Sequence, residues 1–178
     1  MIQPVPEPHS LQNFLRVRPV GAVESILADP RMSVDFIADG VHVHPTAIRA
    51  AVAAKGWQGV VLITDSNIGA GLPPGLYDTP WGFPIKVAPE TAARHATKGT
   101  LAGSALTMDR GMANLLSWLK LPPEQVWAMG TLNPARILGL KGKGTLQPGA
   151  DADLVLWDEG LRAAKTWVGG RLVYERSA

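Results

Sequence analysis

Val60-Val61-Leu62-Ile63 is an unbroken apolar run that opens after Gly59 and closes on Thr64-Asp65, ahead of the glycine-containing stretch Ser66-Asn67-Ile68-Gly69-Ala70-Gly71. Such a run reads as a strand buried on both faces, as in a parallel sheet. Before it, residues 47–55 carry a helical pattern opened by Pro45-Thr46, and residues 36–43 read as a strand leading into a loop. Strand, helix, strand in that order predicts a βαβ unit with parallel pairing. Further upstream, Pro4, Pro6, Pro8 and Pro19 make residues 1–20 extended or loop-like, with one helical turn at Leu11, Phe14 and Leu15. Residues 22–27 predict a brief helix that stops near Asp29-Pro30.

Beyond Gly69 the texture changes. Residues 69–99 are rich in Gly and Pro, with Trp81 and Phe83 interspersed, and read as a long structured loop or short hairpins. Leu106, Met108, Met112, Leu115, Leu116 and Leu119 recur at helical spacing and predict a helix over 104–119. A second helix starts at Pro122-Pro123 and runs through Met129. A third begins at Asn133-Pro134, with Pro134 in the first position, and ends at Gly139. Residues 154–157, 164–168 and 171–174 then read as short strands, the last two joined by the turn signal Gly169-Gly170. Residues 145–178 therefore look like β structure attached to an α/β body.

Composition narrows the picture. The chain has 178 residues, 46% hydrophobic and 18% charged, which fits a folded domain or a piece of something larger. Seventeen basic and fifteen acidic residues leave a formal +2 without a basic cluster, so no footprint for nucleic acid is visible. The absence of cysteine excludes disulfides and thiolate metal sites. The N-terminal prolines interrupt any signal-peptide core, and no segment reaches the roughly 20 apolar residues that span a bilayer. A cytoplasmic protein without a membrane partner is expected.

Asp65 is the first candidate for chemistry, because reacting groups in α/β folds are mounted at the C-terminal ends of parallel strands. Its structural alternative is a turn-capping aspartate. His42-Val43-His44 spells the His-x-His that can bind zinc at a strand end. Ser104 alternatively caps the helix that follows it.

Four segments taken together resemble the C-terminal part of the N-acetylglucosamine-6-phosphate deacetylase family within the metal-dependent amidohydrolases. They are Ile37-Ala38-Asp39-Gly40-Val41-His42-Val43, Leu62-Ile63-Thr64-Asp65, Leu101-Ala102-Gly103-Ser104-Ala105-Leu106-Thr107-Met108-Asp109, and the tail that runs from Thr131-Leu132-Asn133-Pro134-Ala135-Arg136 to Gly149-Ala150-Asp151-Ala152-Asp153-Leu154. The resemblance covers about residue 16 to the end. It implies an α/β fold in which residues 21–144 form the C-terminal part of a (β/α)8 barrel and 145–178 the C-terminal share of a small β-sandwich, with roughly the first half of a typical member missing.

The same resemblance implies roles. Asp65 is general base and then acid, deprotonating a metal-bound water that attacks an acetamide and returning the proton to the departing amine. His42 contacts the sugar or its phosphate, and Arg18 binds the phosphate across a subunit boundary. Leu101, Ala102, Gly103 and Ser104 lie over the acetyl group. The family's divalent metal, zinc or similar, is held mainly by upstream residues, so no metal ligand is assigned here. His44 falls on the wrong strand for the family motif, His9 sits in a shifted context, and His95 matches no motif and reads as a surface residue. The implied partners are N-acetylglucosamine 6-phosphate or a related sugar phosphate, and either a second copy in a homo-oligomer, a dimer by resemblance, or a missing N-terminal half. Two rival readings are an inactive remnant that binds a sugar phosphate and a self-contained metalloprotein using His42, His44 and Asp65.

Overall fold

The computed structural model of the chain describes residues 19–88 and 92–177. The expected extended segment and helical turn in the first 18 residues, with His9 and Arg18, lie outside the described residues.

The fold is mixed α/β. Helix α1 (Ala22–Ala28) leads to strand β1 (Val34–Ile37), helix α2 (Pro45–Lys55) and strand β2 (Val60–Ile63). The two strands pair in parallel from Val34↔Val60 to Ile37↔Ile63, which is the expected βαβ order. Strand β1 is shorter than the predicted 36–43, because the chain turns at Asp39-Gly40. Helix α2 begins with Pro45 in its first turn, and the His44 ring accepts the Thr46 N–H as an N-cap at 3.2 Å. That puts His44 Nδ1 to structural use. Ile48 and Ala51, three residues apart, form the buried face of α2.

The Gly/Pro-rich stretch is more regular than a loop. Strands β3 (Gly75–Tyr77), β4 (Ile85–Val87), β5 (Ala92–His95) and β6 (Leu101–Ser104) form one antiparallel sheet in chain order. Ile85 and Val87 point inward with Ala93 and Ala105, and Tyr77, Phe83 and Ala102 pack around them. This small core holds the sheet together despite strands of three or four residues.

The helix expected over 104–119 begins later. Residues up to Ser104 belong to β6, and helix α3 (Met108–Trp118) starts after Thr107. Periodicity located the buried Met112, Leu115 and Leu119 correctly but overran the N-terminus, since Leu106 is equally buried without being helical. Helix α4 (Pro123–Met129) is as expected. Helix α5 (Leu132–Ile137) corrects the reading of Asn133-Pro134 as a helix start, because the helix opens one residue before Asn133. Asn133 is wholly buried and donates to the carbonyls of Trp57 and Val60 at 2.7 and 2.8 Å, clamping α5 to the entry of β2. Gly139 closes this helix at φ 68°, as its position suggested.

The main core joins Ile48, Val60, Leu62, Met112, Leu115, Leu119, Val126 and Met129, so the βαβ unit is covered by α3 and α4. Strands β7 (Leu154–Trp157), β8 (Ala163–Val168) and β9 (Arg171–Glu175) form a separate antiparallel sheet, with Gly169 and Gly170 both at positive φ in the β8–β9 turn. Trp157 contacts Trp127 of α4, with ring centroids 4.6 Å apart, and ties this sheet to the main core.

Candidate active site

Parallel pairing sends β1 and β2 out of the sheet at the same end. Asp39 and Asp65 each lie two residues past the last paired positions, Ile37 and Ile63. Their surroundings differ. The Asp39 side chain is buried: Oδ1 accepts the backbone N–H groups of Val41 and His42, both at 2.9 Å, and Oδ2 pairs with His42 Nδ1 at 2.7 Å. Because a carboxylate only accepts, the ring nitrogen donates in this pair, and the imidazole is held with Nε2 as its remaining polar atom. The His42 ring is thus held by a carboxylate. Asp39 had no role assigned from sequence, although the Asp-x-x-His spacing just past a strand was the available signal. Asn114 of α3 further anchors this strand end through its side-chain N–H to the Ala38 carbonyl, at 2.8 Å.

Asp65 is exposed and sits at φ 48°, in the left-handed region. For a non-glycine residue this conformation costs on the order of 1–2 kcal/mol, so surrounding bonds must hold it. They come from β6. Ser104 N–H donates to the Asp65 carbonyl at 2.8 Å, the Ser104 hydroxyl donates to the Thr64 carbonyl, and Asn67 N–H donates back to the Ser104 carbonyl at 2.9 Å. Asn67 Nδ2 donates to the Ala102 carbonyl at 2.6 Å, and the Ser66 hydroxyl to that of Leu106. Residues 65–67 are thereby stitched to residues 102–106. The turn-capping job considered for Asp65 falls to Asn67, whose Oδ1 accepts Gly69 N–H at 2.8 Å. Ser104, wholly buried, does not cap a helix: its hydroxyl is spent on Thr64 and Leu106.

Gly103 lies where the two segments meet most closely. At φ 72°, it would place a Cβ 3.1 Å from the Asp65 carbonyl oxygen. Only glycine fits this approach without strain. Asp65, Ser66, Asn67, Ala102 and Gly103 then line one cleft of about 340 Å³, together with Trp81 and Phe83. The structure thus brings Asp65 together with Ala102 and Gly103, tethered by Ser104. Leu101 belongs to the same strand but is not among the residues lining the cleft.

No three of His, Cys, Asp or Glu come together, among the described residues, in a group able to hold a metal ion. His42 Nδ1 and His44 Nδ1 are already engaged, by Asp39 and by Thr46 N–H. The donors present do not fit a complete metal centre. Likewise, no described helix is long and apolar enough to cross a membrane.

A mixed α/β protein with a strained carboxylate displayed where a parallel strand ends is the class that fold and site define. The sequence pattern of the amidohydrolase family matches residues 22–173, and the chain belongs to that family. It is 38% identical over 162 residues to N-acetylglucosamine-6-phosphate deacetylase of Vibrio furnissii, covering 90% of this chain and 40% of that protein. It is 37% identical over 160 residues to a putative N-acetylgalactosamine-6-phosphate deacetylase of Escherichia coli, covering 89% of this chain and 93% of that one. The fold superposes with a TM-score of 0.76 and 32% identity on a mutant N-acetyl-D-glucosamine-6-phosphate deacetylase of Mycobacterium smegmatis, solved with N-acetyl-D-glucosamine-6-phosphate, over 88% of this chain and 42% of that one. The resemblance seen in the four sequence segments is borne out. The chain spans less than half the length of the Vibrio and Mycobacterium proteins and nearly all of the Escherichia one.

Proposed function

We propose that this chain supplies the proton-transferring and acetyl-facing part of a deacetylase that hydrolyses N-acetylglucosamine 6-phosphate, or a related N-acetyl amino-sugar phosphate, in amino-sugar catabolism. The observation that carries the reading is the stitching of Asp65 to Ala102, Gly103 and Ser104 around one cleft, in a chain resembling such deacetylases over nine-tenths of its length. Asp65 takes a proton from the attacking water, whose oxygen bonds to the acetamide carbonyl carbon. As the C–N bond breaks, the same proton passes to the amine nitrogen, leaving acetate and the amino-sugar phosphate. Ala102 and Gly103 bound the acetyl side, held in place by the buried Ser104 and the strand that Leu101 opens. His42, oriented by Asp39, contacts the sugar or its phosphate, and the Arg18 guanidinium matches phosphate oxygens.

In this reading residues 21–144 are part of a (β/α)8 barrel and residues 145–178 are a share of a β-sandwich. The parallel β1–β2 pair flanked by helices and the separate β7–β9 sheet support both assignments. A divalent metal, zinc or similar, is held by donors supplied with a complementing N-terminal half, and the assembly is a cytoplasmic homo-oligomer.

The test is acetate release from N-acetylglucosamine 6-phosphate by the 178-residue chain, alone and mixed with the N-terminal half of the Vibrio deacetylase, with metal content measured in parallel. Turnover that disappears in Asp65→Asn, with an unchanged circular dichroism spectrum, supports the reading. Undiminished turnover in that variant removes Asp65 from the mechanism, and no turnover by the chain either alone or in the mixture removes the deacetylase assignment.

A further inference from the structure

The cleft that holds Asp65 is also lined by two aromatic residues, Trp81 and Phe83, which lie on the connection between β3 and β4. Phe83 is fixed from below. It packs on the cluster of Ile85, Val87, Ala93 and Ala105, and its ring lies on that of His95, with centroids 4.5 Å apart and planes within 7° of parallel. His95, expected to be a surface residue, is itself pinned: Nδ1 accepts the backbone N–H groups of Thr97 and Lys98, both at 3.3 Å. Trp81 extends this stack at 6.0 Å from Phe83, tilted by 40°, and remains 49% exposed. The half-exposed indole therefore offers an apolar face to the same space as the exposed Asp65 carboxylate.

We propose that Trp81, supported by Phe83 and His95, is a platform for the apolar C–H face of a pyranose ring, selecting cyclic N-acetyl amino-sugar phosphates over acyclic N-acetyl amides. The assignment rests on the deacetylase reading and adds to it the element that recognises the sugar ring. One face of a pyranose presents mainly C–H bonds, whose slight positive charge suits the negative face of an indole. An aromatic side chain with two rotatable bonds gives that contact with little ordering cost. The cleft, about 340 Å³, lies within the size range of small-molecule sites. Asp65 and Trp81 border the same space, so a ring lying on the indole keeps its acetamide substituent within the region the carboxylate addresses.

The experiment uses the Asp65→Asn chain, which binds without turnover, and follows the indole N–H signals of its six tryptophans by NMR during titration with N-acetylglucosamine 6-phosphate. Trp81→Phe identifies the Trp81 signal. The expected result is a saturable shift of that signal, an affinity about tenfold weaker in Trp81→Ala, and recovery of most of it in Trp81→Phe. Affinity for acyclic N-acetylethanolamine phosphate stays within about twofold in all three. Sugar binding of unchanged affinity in Trp81→Ala, with a static Trp81 signal, overturns the platform and leaves the deacetylase reading standing. No sugar binding by the Asp65→Asn chain, with no turnover by the unsubstituted one mixed with the N-terminal half of the Vibrio deacetylase, overturns both.

Discussion

Ser104→Ala removes a single oxygen from a wholly buried position, and its consequences can be worked out from the bonds that oxygen makes. The hydroxyl donates to the Thr64 carbonyl and accepts the Leu106 backbone N–H at 3.1 Å. Alanine fits the space, so no new contact compensates and no large cavity opens. Each lost hydrogen bond is worth about 1 kcal/mol, giving a loss of about 2 kcal/mol. With a urea m-value of about 2 kcal/mol per M, the unfolding midpoint falls by about 1 M. Function is hit more locally. The Ser104 N–H to Asp65 carbonyl bond survives the substitution, but the strand end it hangs from is no longer fixed to Thr64. Ser66→Ala, which removes one bond from an exposed residue, is the control and costs under about 1 kcal/mol. Urea titrations of the three chains, followed by tryptophan fluorescence, make the comparison. A midpoint for Ser104→Ala within about 0.2 M of the unsubstituted chain would refute the claim that this hydroxyl stitches the two segments together.

Asp39→Ala deprives two backbone N–H donors and the His42 ring of their buried carboxylate acceptor, so thermal melts should show a loss of about 3 kcal/mol; a loss no larger than that of a surface substitution would count against its placing His42. Gly103→Ala combines a left-handed backbone with a Cβ 3.1 Å from the Asp65 carbonyl. It should cost about 1–2 kcal/mol in stability and lower acetate release far more than Ala102→Ser does. Asp158 gives a pH prediction. The backbone N–H of Arg162, and then the Arg176 guanidinium, hold its carboxyl down from 3.8 to about 2. Since the folded value is the lower one, the stabilisation is fully present above 3.8 and is lost as pH falls through about 2. Acid titrations of the unsubstituted chain and Asp158→Asn should therefore differ at neutral pH and converge towards pH 2. A difference that persists unchanged to that pH would overturn the assignment.

How much of this was legible in the sequence depends on the distance between interacting partners. Local periodicity was enough for β2, α2 and the β8–β9 hairpin, because an unbroken apolar run, a proline-opened helix and a Gly-Gly turn are decided by near neighbours and by backbone sterics. It also placed Asp65 at a strand's end. The Asp39–His42 pair spans only three residues and was there to be read, yet went without a role. Other features were beyond any local reading. Ser104 looked like a helix cap, but the Thr64 carbonyl that claims its hydroxyl lies 40 residues away. Asn133 looked like the start of a helix, but carbonyls more than 70 residues distant take its side-chain N–H groups. Phe83 and His95 are unremarkable in sequence and become a stack only because β4 and β5 pair with Ile85 opposite His95. By itself, then, the sequence determined the local elements, the apolar positions of the core and the motif residues that carry the family resemblance. The tertiary structure alone decided which of those residues share a cleft, because a buried polar group must find its partner wherever the fold supplies one.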